Sequence, residues 1–373
     1  MKTYHKELKW IWESKYFSNF VYKKVNLEKL TYKFGQLNML ESFINSKDSN
    51  ELVLEILLDD ALSTSAIEGE ILQRSSVHSS INKILKLGLE DDYSYTVQSD
   101  SLIEVLVDAR VNSDPLDKTR LLSWHKALFP SGNNGLREIN IGSYRTDEED
   151  MQIVSGHWNK EKVHYIAPPS KEIDILMDRF LVWLNKDDEI NHIYKAIVAH
   201  LYFVLIHPFD DGNGRIARAI TDYILAKTNL ANNNFYSVST IIYQKRKEYY
   251  KILDQVCINT NQDITQWIEW FINILEESVN DTLKKVQSIT TKAKFWDRHI
   301  DTKLNERQKK VILKMLSYLP DEFEGGMKVK KYMSITKTTR LTASRDLSDL
   351  VEKDIMQSHG KTRGVYYTLI DVA

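Results

Sequence analysis

The sequence predicts a mainly α fold, because helix-breaking residues are few and apolar residues recur at helical spacing. Only 13 glycines and 6 prolines occur among 373 residues. Two segments show the helical pattern most clearly, with apolar residues at Ile173, Leu176, Met177, Phe180, Leu181 and Leu184, and at Tyr194, Ile197, Val198, Leu201 and Leu205. Short strand-like runs occur between Asn140 and Pro169, where one small β-hairpin is expected.

The length allows more than one hydrophobic core, and the pattern predicts three parts. Residues 1–95 form an N-terminal helical domain, which opens with a block rich in aromatic residues and becomes helical from Leu27 onward. Residues 96–290 form a central helical domain that includes the hairpin, and residues 301–373 form a small C-terminal domain. The polar stretch around Thr290 to Thr302 is the expected linker between them.

The bulk composition excludes several classes of protein. Lys and Arg number 50 against 52 Asp and Glu, so no overall charge draws the chain to nucleic acid or anionic membrane. No apolar run reaches membrane-spanning length, and the first residues lack the core of a signal peptide, so we predict a cytoplasmic location. Cys257 is the only cysteine, which excludes an internal disulfide and a multi-thiolate metal site.

The candidate site is the segment His207-Pro-Phe-Asp-Asp-Gly-Asn-Gly-Arg-Ile-Ala-Arg218, which directly follows a predicted helix. Its two glycines, Gly212 and Gly214, let backbone N–H groups around Asn213 turn toward an anion, and the helix expected to begin near Arg215 points its positive end the same way. Arg215 and Arg218 are three residues apart on that helix, so both guanidinium groups face the same phosphate chain. The segment therefore predicts a phosphate-binding site.

Two further side chains complete the predicted chemistry. Asp211 directly precedes the glycines and is the expected Mg²⁺ ligand, because Mg²⁺ is commonly held by one or two carboxylates and substrate phosphates. Asp210 is the weaker candidate. His207 lies at the end of the preceding helix, and an imidazole is suited to removing a proton from an incoming hydroxyl. His207 is thus the predicted general base.

Other interpretations fit parts of the same segment. The run from Gly212 to Ala217 matches the dinucleotide pattern G-x-G-x-x-A, but that loop must follow a strand, and a helical pattern precedes it here. A metal site made of His192, His200 and His207 lacks the i, i+4 spacing of a zinc helix, so His200 is expected in the core or on the surface. A purely structural turn leaves the concentration of phosphate-handling groups unexplained.

Over its whole length, from His207 to Arg218, the segment resembles the signature of Fic domains. That pattern is histidine, any residue, phenylalanine, any residue, Asp or Glu, Gly-Asn-Gly-Arg, any two residues and arginine. Every position is filled, by His207, Phe209, Asp211, Gly212, Asn213, Gly214, Arg215 and Arg218. The match is highly specific, and the wider resemblance covers roughly Asn50 to Leu275.

The resemblance implies an enzyme that moves AMP from ATP, with Mg²⁺, to a Ser, Thr or Tyr hydroxyl of a target protein. His207 would be the base, Phe209 would anchor the loop in the core, and Asp211 would bind the metal. Asn213 and the neighbouring amides would hold the α-phosphate, and the two arginines the remaining phosphates. The hairpin resembles the family's flap, which pairs with the target chain as an added strand.

A second resemblance lies upstream, in Ser63-Thr-Ser-Ala-Ile-Glu-Gly69. The family's inhibitory helix motif is Ser or Thr, three residues, Glu, then Gly or Asn, and Thr64, Glu68 and Gly69 fill it. In similar proteins this glutamate pairs with the second signature arginine, here Arg218, and keeps ATP from its productive pose, since carboxylate and γ-phosphate compete for one guanidinium. Taken alone, the motif is equally typical of a solvated surface helix.

The C-terminal domain resembles winged-helix domains. Lys330 to Thr336 and Thr342 to Lys353 form a predicted helix-turn-helix, and Gly360 to Gly364 a turn of the wing. From residue 301 onward, 14 Lys and Arg face 10 Asp and Glu, a modest positive excess. The candidate DNA contacts are Lys337, Thr339, Arg340, Ser344 and Arg345, with Lys361 and Arg363 on the wing. Such folds serve equally as dimerisation or docking modules.

The leading hypothesis is therefore a protein adenylyltransferase, autoinhibited by Glu68, whose partner is a protein with a Ser, Thr or Tyr hydroxyl. One alternative is a DNA-binding regulator whose Fic-like domain senses nucleotide. Another keeps the enzyme but changes the donor, as in transfer of UMP or phosphocholine, or the direction, as in removal of AMP. No membrane partner is expected, and the oligomeric state stays open, a homodimer included.

Overall fold

The structure is a computed structural model that describes residues 9–42, 44–88, 95–133, 138–155, 162–186, 190–228, 236–319, 323–361 and 364–370. The chain divides into two compact units. The first comprises Met1–Met39 and Val53–Thr282, and the second comprises Leu40–Leu52 and Leu283–Ala373.

The described residues are mainly helical, which confirms the predicted fold class. The α-helices are Glu28–Glu41 (α1), Ser46–Ile67 (α2), Arg74–Leu85 (α3), Val97–Val111 (α4), Lys118–Leu128 (α5), Ile173–Asn185 (α6), His192–Ile206 (α7), Asn213–Ala226 (α8), Val238–Gln244 (α9), Arg246–Cys257 (α10), Thr265–Arg298 (α11), Glu306–Leu316 (α12), Val329–Thr336 (α13) and Arg340–Glu352 (α14). Two antiparallel hairpins complete the described structure, Gln152–Ser155 (β1) with Lys162–Ile166 (β2), and Met356–His359 (β3) with Tyr366–Leu369 (β4).

The centre of the first unit is formed by α7 and α8. In α7 every residue from Ile193 to Phe203 is buried, and in α8 every residue from Arg215 to Leu225. A helix buried on all sides is a core element rather than an amphipathic surface helix. In the described part of the chain, no helix has both the length and the apolar character needed to cross a membrane.

The predicted end of α7 is confirmed. His207 caps the helix with a left-handed backbone at φ 51°, and Pro208 follows. The predicted start of α8 near Arg215 is two residues late, because the helix begins at Asn213 directly after Gly212. Gly212 has φ 81°, a conformation that costs glycine little, and so turns the chain straight into the helix.

The hairpin β1–β2 lies inside the predicted range, and the N-terminal aromatic residues support it. Trp10 packs edge-on against Tyr165 of β2 at 5.6 Å between ring centroids. Trp12 Nε1 donates a hydrogen bond to Ile166 O at 2.7 Å. A two-stranded hairpin is marginally stable by itself, so these contacts explain why it forms.

The second unit has its own core, centred on Val311, Ile312, Leu347 and Leu350 and closed by β3 and β4. In this unit α13 and α14 are joined by a short turn and followed by the hairpin β3–β4, in the predicted order. The predicted linker at 290–302 is wrong in its first part, since α11 continues to Arg298. Phe295 explains the difference, because its buried ring belongs to the core of this unit.

Candidate functional site

The loop between α7 and α8 is closed by one side chain. Asn213 Oδ1 accepts a hydrogen bond from Phe209 N at 3.0 Å, and Asn213 Nδ2 donates to Phe209 O at 2.7 Å. The ring of Phe209 is fully buried and stacks on His125 with 3.9 Å between centroids. Phe209 therefore lies in the core, as the resemblance implies. The side chain of Asn213 is engaged within the loop, which leaves its backbone N–H to face an anion.

Two residues outside the signature, His125 and Arg145, hold the loop, and neither was predicted from the sequence. His125 Nε2 contacts Asp211 O at 3.1 Å, while Gly142 N donates to His125 Nδ1 at 3.1 Å. Arg145 Nε donates to His207 O at 2.8 Å, and its guanidinium also donates to Pro168 O. Both come from distant segments whose approach to the loop only the fold determines.

The environment of His207 is that of a neutral imidazole. Its Nδ1 lies 3.3 Å from Val204 O, so Nδ1 carries the proton and Nε2 keeps its lone pair. Burial and, to a smaller extent, the positive charge of Arg145 lower the pKa of His207, while Glu68 and Asp211 oppose the shift, and the resulting pKa is about 4. The ring therefore lies within electrostatic reach of both carboxylates and is unprotonated near neutral pH.

The first turn of α8 forms an anion-binding cradle. The N–H groups that open a helix have no partner within it, and they face outward at its positive end. A β-carbon at Gly212 would lie 3.0 Å from the ring of Phe129, and one at Gly214 only 2.2 Å from Glu68 Oε1. Both positions therefore require glycine, and Gly214 leaves room for an oxygen atom directly above the helix end.

Arg218 is held by the predicted inhibitory motif. Its Nε donates to Thr64 Oγ1 at 2.7 Å, and its Nη2 donates to Thr64 O at 2.9 Å and to Glu68 Oε1 at 2.8 Å. The side chain of Arg218 is 2% exposed. Charge-assisted bonds of this kind are stronger than neutral ones, so any other anion that binds Arg218 must displace the carboxylate of Glu68.

The inhibitory segment keeps its shape through the turn that ends α2. Gly69 has φ 86°, and its N–H donates to Ala66 O at 3.1 Å. The N–H groups of Glu68 and Glu70 both donate to Ser65 O, at 3.1 and 3.0 Å. Because the left-handed position favours glycine, Gly69 is what turns the chain back here. Thr64, Glu68 and Gly69 all lie where the motif predicts.

Arg215 has a partner that sequence reasoning missed. Its Nη1 donates to Glu70 Oε2 at 2.8 Å, and its Nη2 lies 3.8 Å from Asp211 Oδ1. The guanidinium also packs over the ring of Phe129, 4.9 Å from its centroid. The sequence feature that could have indicated this pair is Glu70, a second acidic residue directly after Gly69.

The carboxylates in the loop fit a metal carried by the substrate. The side chain of Asp211 is 36% exposed and lies beside the cradle, while Asp210 Oδ2 accepts a hydrogen bond from Asn140 N at 2.8 Å. The described residues contain no group of three or more His, Cys, Asp or Glu placed to hold a metal ion by themselves. Asp211 is thus the better placed of the two for Mg²⁺ bound mainly through phosphates.

The structure contradicts two alternative interpretations of the segment, the dinucleotide loop and the histidine metal site. The glycine loop follows helix α7 and not a strand, which excludes a dinucleotide fold. His200 is a core residue, with Nδ1 2.9 Å from Thr221 Oγ1 and Nε2 3.0 Å from Tyr249 OH. His192 is exposed at the opposite end of α7, so these histidines do not converge. Cys257 is buried.

The outer part of the hairpin is fastened to α10. His164 Nδ1 lies 2.8 Å from Asp254 Oδ2, and His164 Nε2 lies 2.5 Å from Ser155 Oγ. One turn earlier on α10, Tyr250 OH donates to Ile67 O at 3.4 Å. Helix α10 therefore contacts both the hairpin and the inhibitory segment.

Comparison with protein families decides the assignment of this region. The sequence profile of the Fic/DOC family matches residues 115–225, which include the whole loop and α8. This part of the chain is therefore similar to Fic domains. Residues 10–87, which precede it, match a domain of unknown function, DUF4172. Thr64, Glu68 and Glu70 thus lie within this preceding match and contact the two arginines in the first turns of α8.

Relatives with known names share the Fic domain. The chain is 32% identical over 144 residues to "Protein adenylyltransferase Fic" of Nematostella vectensis, which covers 38% of this chain and 29% of that protein. The protein of the same name in Drosophila mojavensis is 29% identical over 133 residues, or 34% of this chain and 25% of that one. The match therefore spans less than a third of either relative.

Solved structures show the same fold over a larger part of the chain. A Fic family protein from Desulfovibrio desulfuricans G20 matches with a TM-score of 0.51 at 19% identity, over 94% of this chain and 98% of that one. A Fic domain containing signaling protein from Bacteroides thetaiotaomicron matches with a TM-score of 0.50 at 16% identity, over 71% and 97%. At such identities the likeness concerns the fold alone.

Proposed function

We propose that this chain transfers AMP from ATP to a hydroxyl group of a target protein. The observation that carries the proposal is the neutral imidazole of His207, which lies within electrostatic reach of Glu68 and Asp211, the carboxylates beside the start of α8. An unprotonated base beside an anion-binding helix end is what in-line attack on a phosphate requires. The adenylyltransferase names of the relatives support ATP as the donor.

In the proposed reaction the target hydroxyl attacks the α-phosphorus of ATP. A new P–O bond forms to the hydroxyl oxygen, the bond to the β-phosphate oxygen breaks, and pyrophosphate leaves. His207 Nε2 takes the hydroxyl proton. The backbone N–H groups of Asn213 and Gly214 stabilise charge on the α-phosphate, and Arg215 and Arg218 bind the departing phosphates.

Asp211 is the residue that would hold Mg²⁺ with the phosphates. The ion, when bound, supplies positive charge to the phosphate oxygens. The hairpin β1–β2 is proposed to receive the target chain as an added strand, with Asp254 and His164 holding its outer part in place. We place the reaction in the cytoplasm.

Glu68 is proposed to keep the site inactive. Its carboxylate lies 2.8 Å from Arg218 Nη2 and occupies the space above Gly214 that a phosphate oxygen would need. Binding of ATP in its productive pose must therefore displace it. Regulation consists of moving the end of α2 away from the start of α8.

Glu68→Gly tests the proposed function. We expect the variant, incubated with Mg²⁺, a mixture of ATP, UTP and CDP-choline, and candidate target proteins, to add AMP to itself or to a target. Intact-mass spectrometry measures the added group, so transfer of UMP or phosphocholine is detected in the same sample. The wild-type chain should react much less, and Glu68→Gly with His207→Ala should react far more slowly than Glu68→Gly alone.

Absence of any adduct from Glu68→Gly, with the fold intact, rejects the transfer reaction. A protein already carrying AMP should be included, since loss of that group together with no forward transfer would assign the reverse reaction to the same residues.

DNA binding by the C-terminal unit is the second candidate function. Its support is the exposed residues around the start of α14, where Lys337, Thr339, Arg340 and Arg345 all face solvent. Arg363 lies outside the described residues, and Lys361 is exposed. The order of helices and hairpin resembles winged-helix domains, in which the second helix enters the major groove.

A gel-shift titration measures this binding. We expect the full chain to shift duplex DNA at low salt, with affinity that falls as salt rises, because lysine and arginine contacts release counterions. Arg340→Ala with Arg345→Ala should weaken the shift, whereas Lys309→Ala on α12, which pairs with Glu306 at 3.1 Å, serves as the control. The absence of a shift at low salt would contradict DNA binding by the C-terminal unit.

A further inference from the structure

The inhibitory segment contacts the Fic domain through two ion pairs, and the family motif accounts for only one. Arg215 Nη1 lies 2.8 Å from Glu70 Oε2, the same distance that separates Arg218 Nη2 from Glu68 Oε1. We propose that Glu70 is a second inhibitory carboxylate, which occupies Arg215 while Glu68 occupies Arg218. This inference rests on the proposed function, since it concerns the same phosphate site.

The turn around Gly69 places the two glutamates so that both ion pairs form together. Glu68 and Glu70 are two residues apart, and their N–H groups share one acceptor, Ser65 O. Gly69 between them turns the chain with φ 86°, so both side chains point toward α8. Arg215 and Arg218 are three residues apart and share one face of that helix. Two carboxylates from one turn thus meet two cations from one helical turn.

The competition at Arg215 is electrostatic. Its side chain is only 4% exposed, so a nearby anion acts on it with little screening by water. A phosphate oxygen that binds Nη1 needs the position held by Glu70 Oε2. Removal of Glu68 alone frees Arg218 and leaves Arg215 neutralised, so the phosphate site is then only partly open.

The surroundings allow Glu70 to leave while Arg215 stays in place. A cavity of about 550 Å³ opens beside Glu70, lined also by Val97, Gln98, Phe129 and Ser131, and gives the displaced carboxylate room in water. The guanidinium of Arg215 packs over the ring of Phe129, a contact that does not involve Glu70. Release of Glu70 therefore presents an oriented cation to the ligand.

The test compares nucleotide affinity in four proteins, each carrying His207→Ala so that no transfer occurs during the titration. They are the otherwise wild-type chain, Glu70→Gln, Glu68→Gly and the combination of both. Calorimetric titration with Mg²⁺ and ATP gives each Kd. We expect Glu70→Gln to tighten ATP binding roughly tenfold when added to Glu68→Gly, a typical coupling between competing ligands.

Titration with AMP separates this effect from a general change in charge. AMP lacks the phosphates that reach the arginines, so Glu70→Gln should leave its Kd unchanged. Asp59→Asn is the matched control, because Asp59 lies on α2, the helix that precedes Glu70, but pairs with Arg74 at 3.3 Å, and it should alter neither Kd.

Equal ATP affinity in Glu68→Gly with and without Glu70→Gln overturns the proposal, as does equal tightening of ATP and AMP. Thermal unfolding of each variant establishes that it is folded before titration. Because binding is measured without transfer, a failure here is distinct from a failure of the proposed reaction, which the adduct experiment measures separately.

Discussion

Replacing His207 by alanine in the Glu68→Gly protein is expected to lower the transfer rate roughly 10²–10⁴-fold, the usual contribution of a positioned general base. The variant keeps the cradle and both arginines, so ATP should still bind. The measurement is the initial rate of AMP incorporation at saturating ATP, with the Kd for ATP determined alongside. His192→Ala is the matched control, since His192 is exposed at the other end of α7 and should leave the rate unchanged.

The pH dependence of kcat/KM for AMP incorporation by the Glu68→Gly protein tests the protonation state of His207. Burial and the charge of Arg145 lower the pKa of His207 to about 4. The reactive form is the neutral one, so activity is lost only as the pH falls through the lowered pKa. We expect kcat/KM to stay nearly constant from about pH 8 to pH 5.5, whereas an ordinary histidine, with a pKa near 6.5, would lose about tenfold over that range. A decline of kcat/KM centred near pH 6.5 would contradict the conclusion that burial lowers the pKa of His207.

The site residues that could be predicted from the sequence all lie close together in one short stretch of the chain. From His207 to Arg218, residue type and spacing within one loop and one helical turn determine which groups can face a phosphate. Gly212 and Gly214 illustrate this, because only glycine fits the turn beside Phe129 and the space below Glu68. Local geometry of this kind needs no knowledge of the rest of the fold.

The residues that the sequence did not predict act across long distances in the chain. Glu70 lies 145 residues from Arg215, and Arg145 lies 62 residues from His207. Their importance follows from which elements the core brings together, and no spacing rule connects them. The linker at 290–302 was misjudged for a related reason, since the polar faces of α11 hid the burial of Phe295.

Helix α2, which leads into Glu68 and Glu70, is tied to α8 by a buried cation between two carboxylates. Arg110 Nη2 on α4 lies 2.7 Å from Asp60 Oδ2 on α2 and 2.8 Å from Asp222 Oδ2 on α8. Burial raises the pKa of Asp222 to about 7, although Arg110 opposes the shift. Burial acts on Asp60 in the same direction, but Arg110 and the Ser237 hydroxyl keep the pKa of that carboxyl below its usual range.

Arg110→Met should therefore be strongly destabilising, by about 3–5 kcal/mol, because it leaves two buried carboxylates facing each other without a cation. Urea unfolding monitored by circular dichroism measures the change. Lys118→Met is the control, since Lys118 forms an exposed pair with Asp174 at 2.7 Å and its loss should cost no more than about 1 kcal/mol.

The cost of Arg110→Met should also grow as the pH rises. Without the cation, the pKa of Asp60 in the folded chain rises above the unfolded value of roughly 3.9, and the pKa of Asp222, already raised by burial, rises further. A folded pKa that is raised gives stability at low pH that is lost as the pH increases through it. The variant should thus be closer to the wild-type chain at about pH 5 than at pH 8. A cost that is small, or equal at both pH values, would show that the two carboxylates are reached by water and that α2 is held to α8 mainly by its apolar contacts.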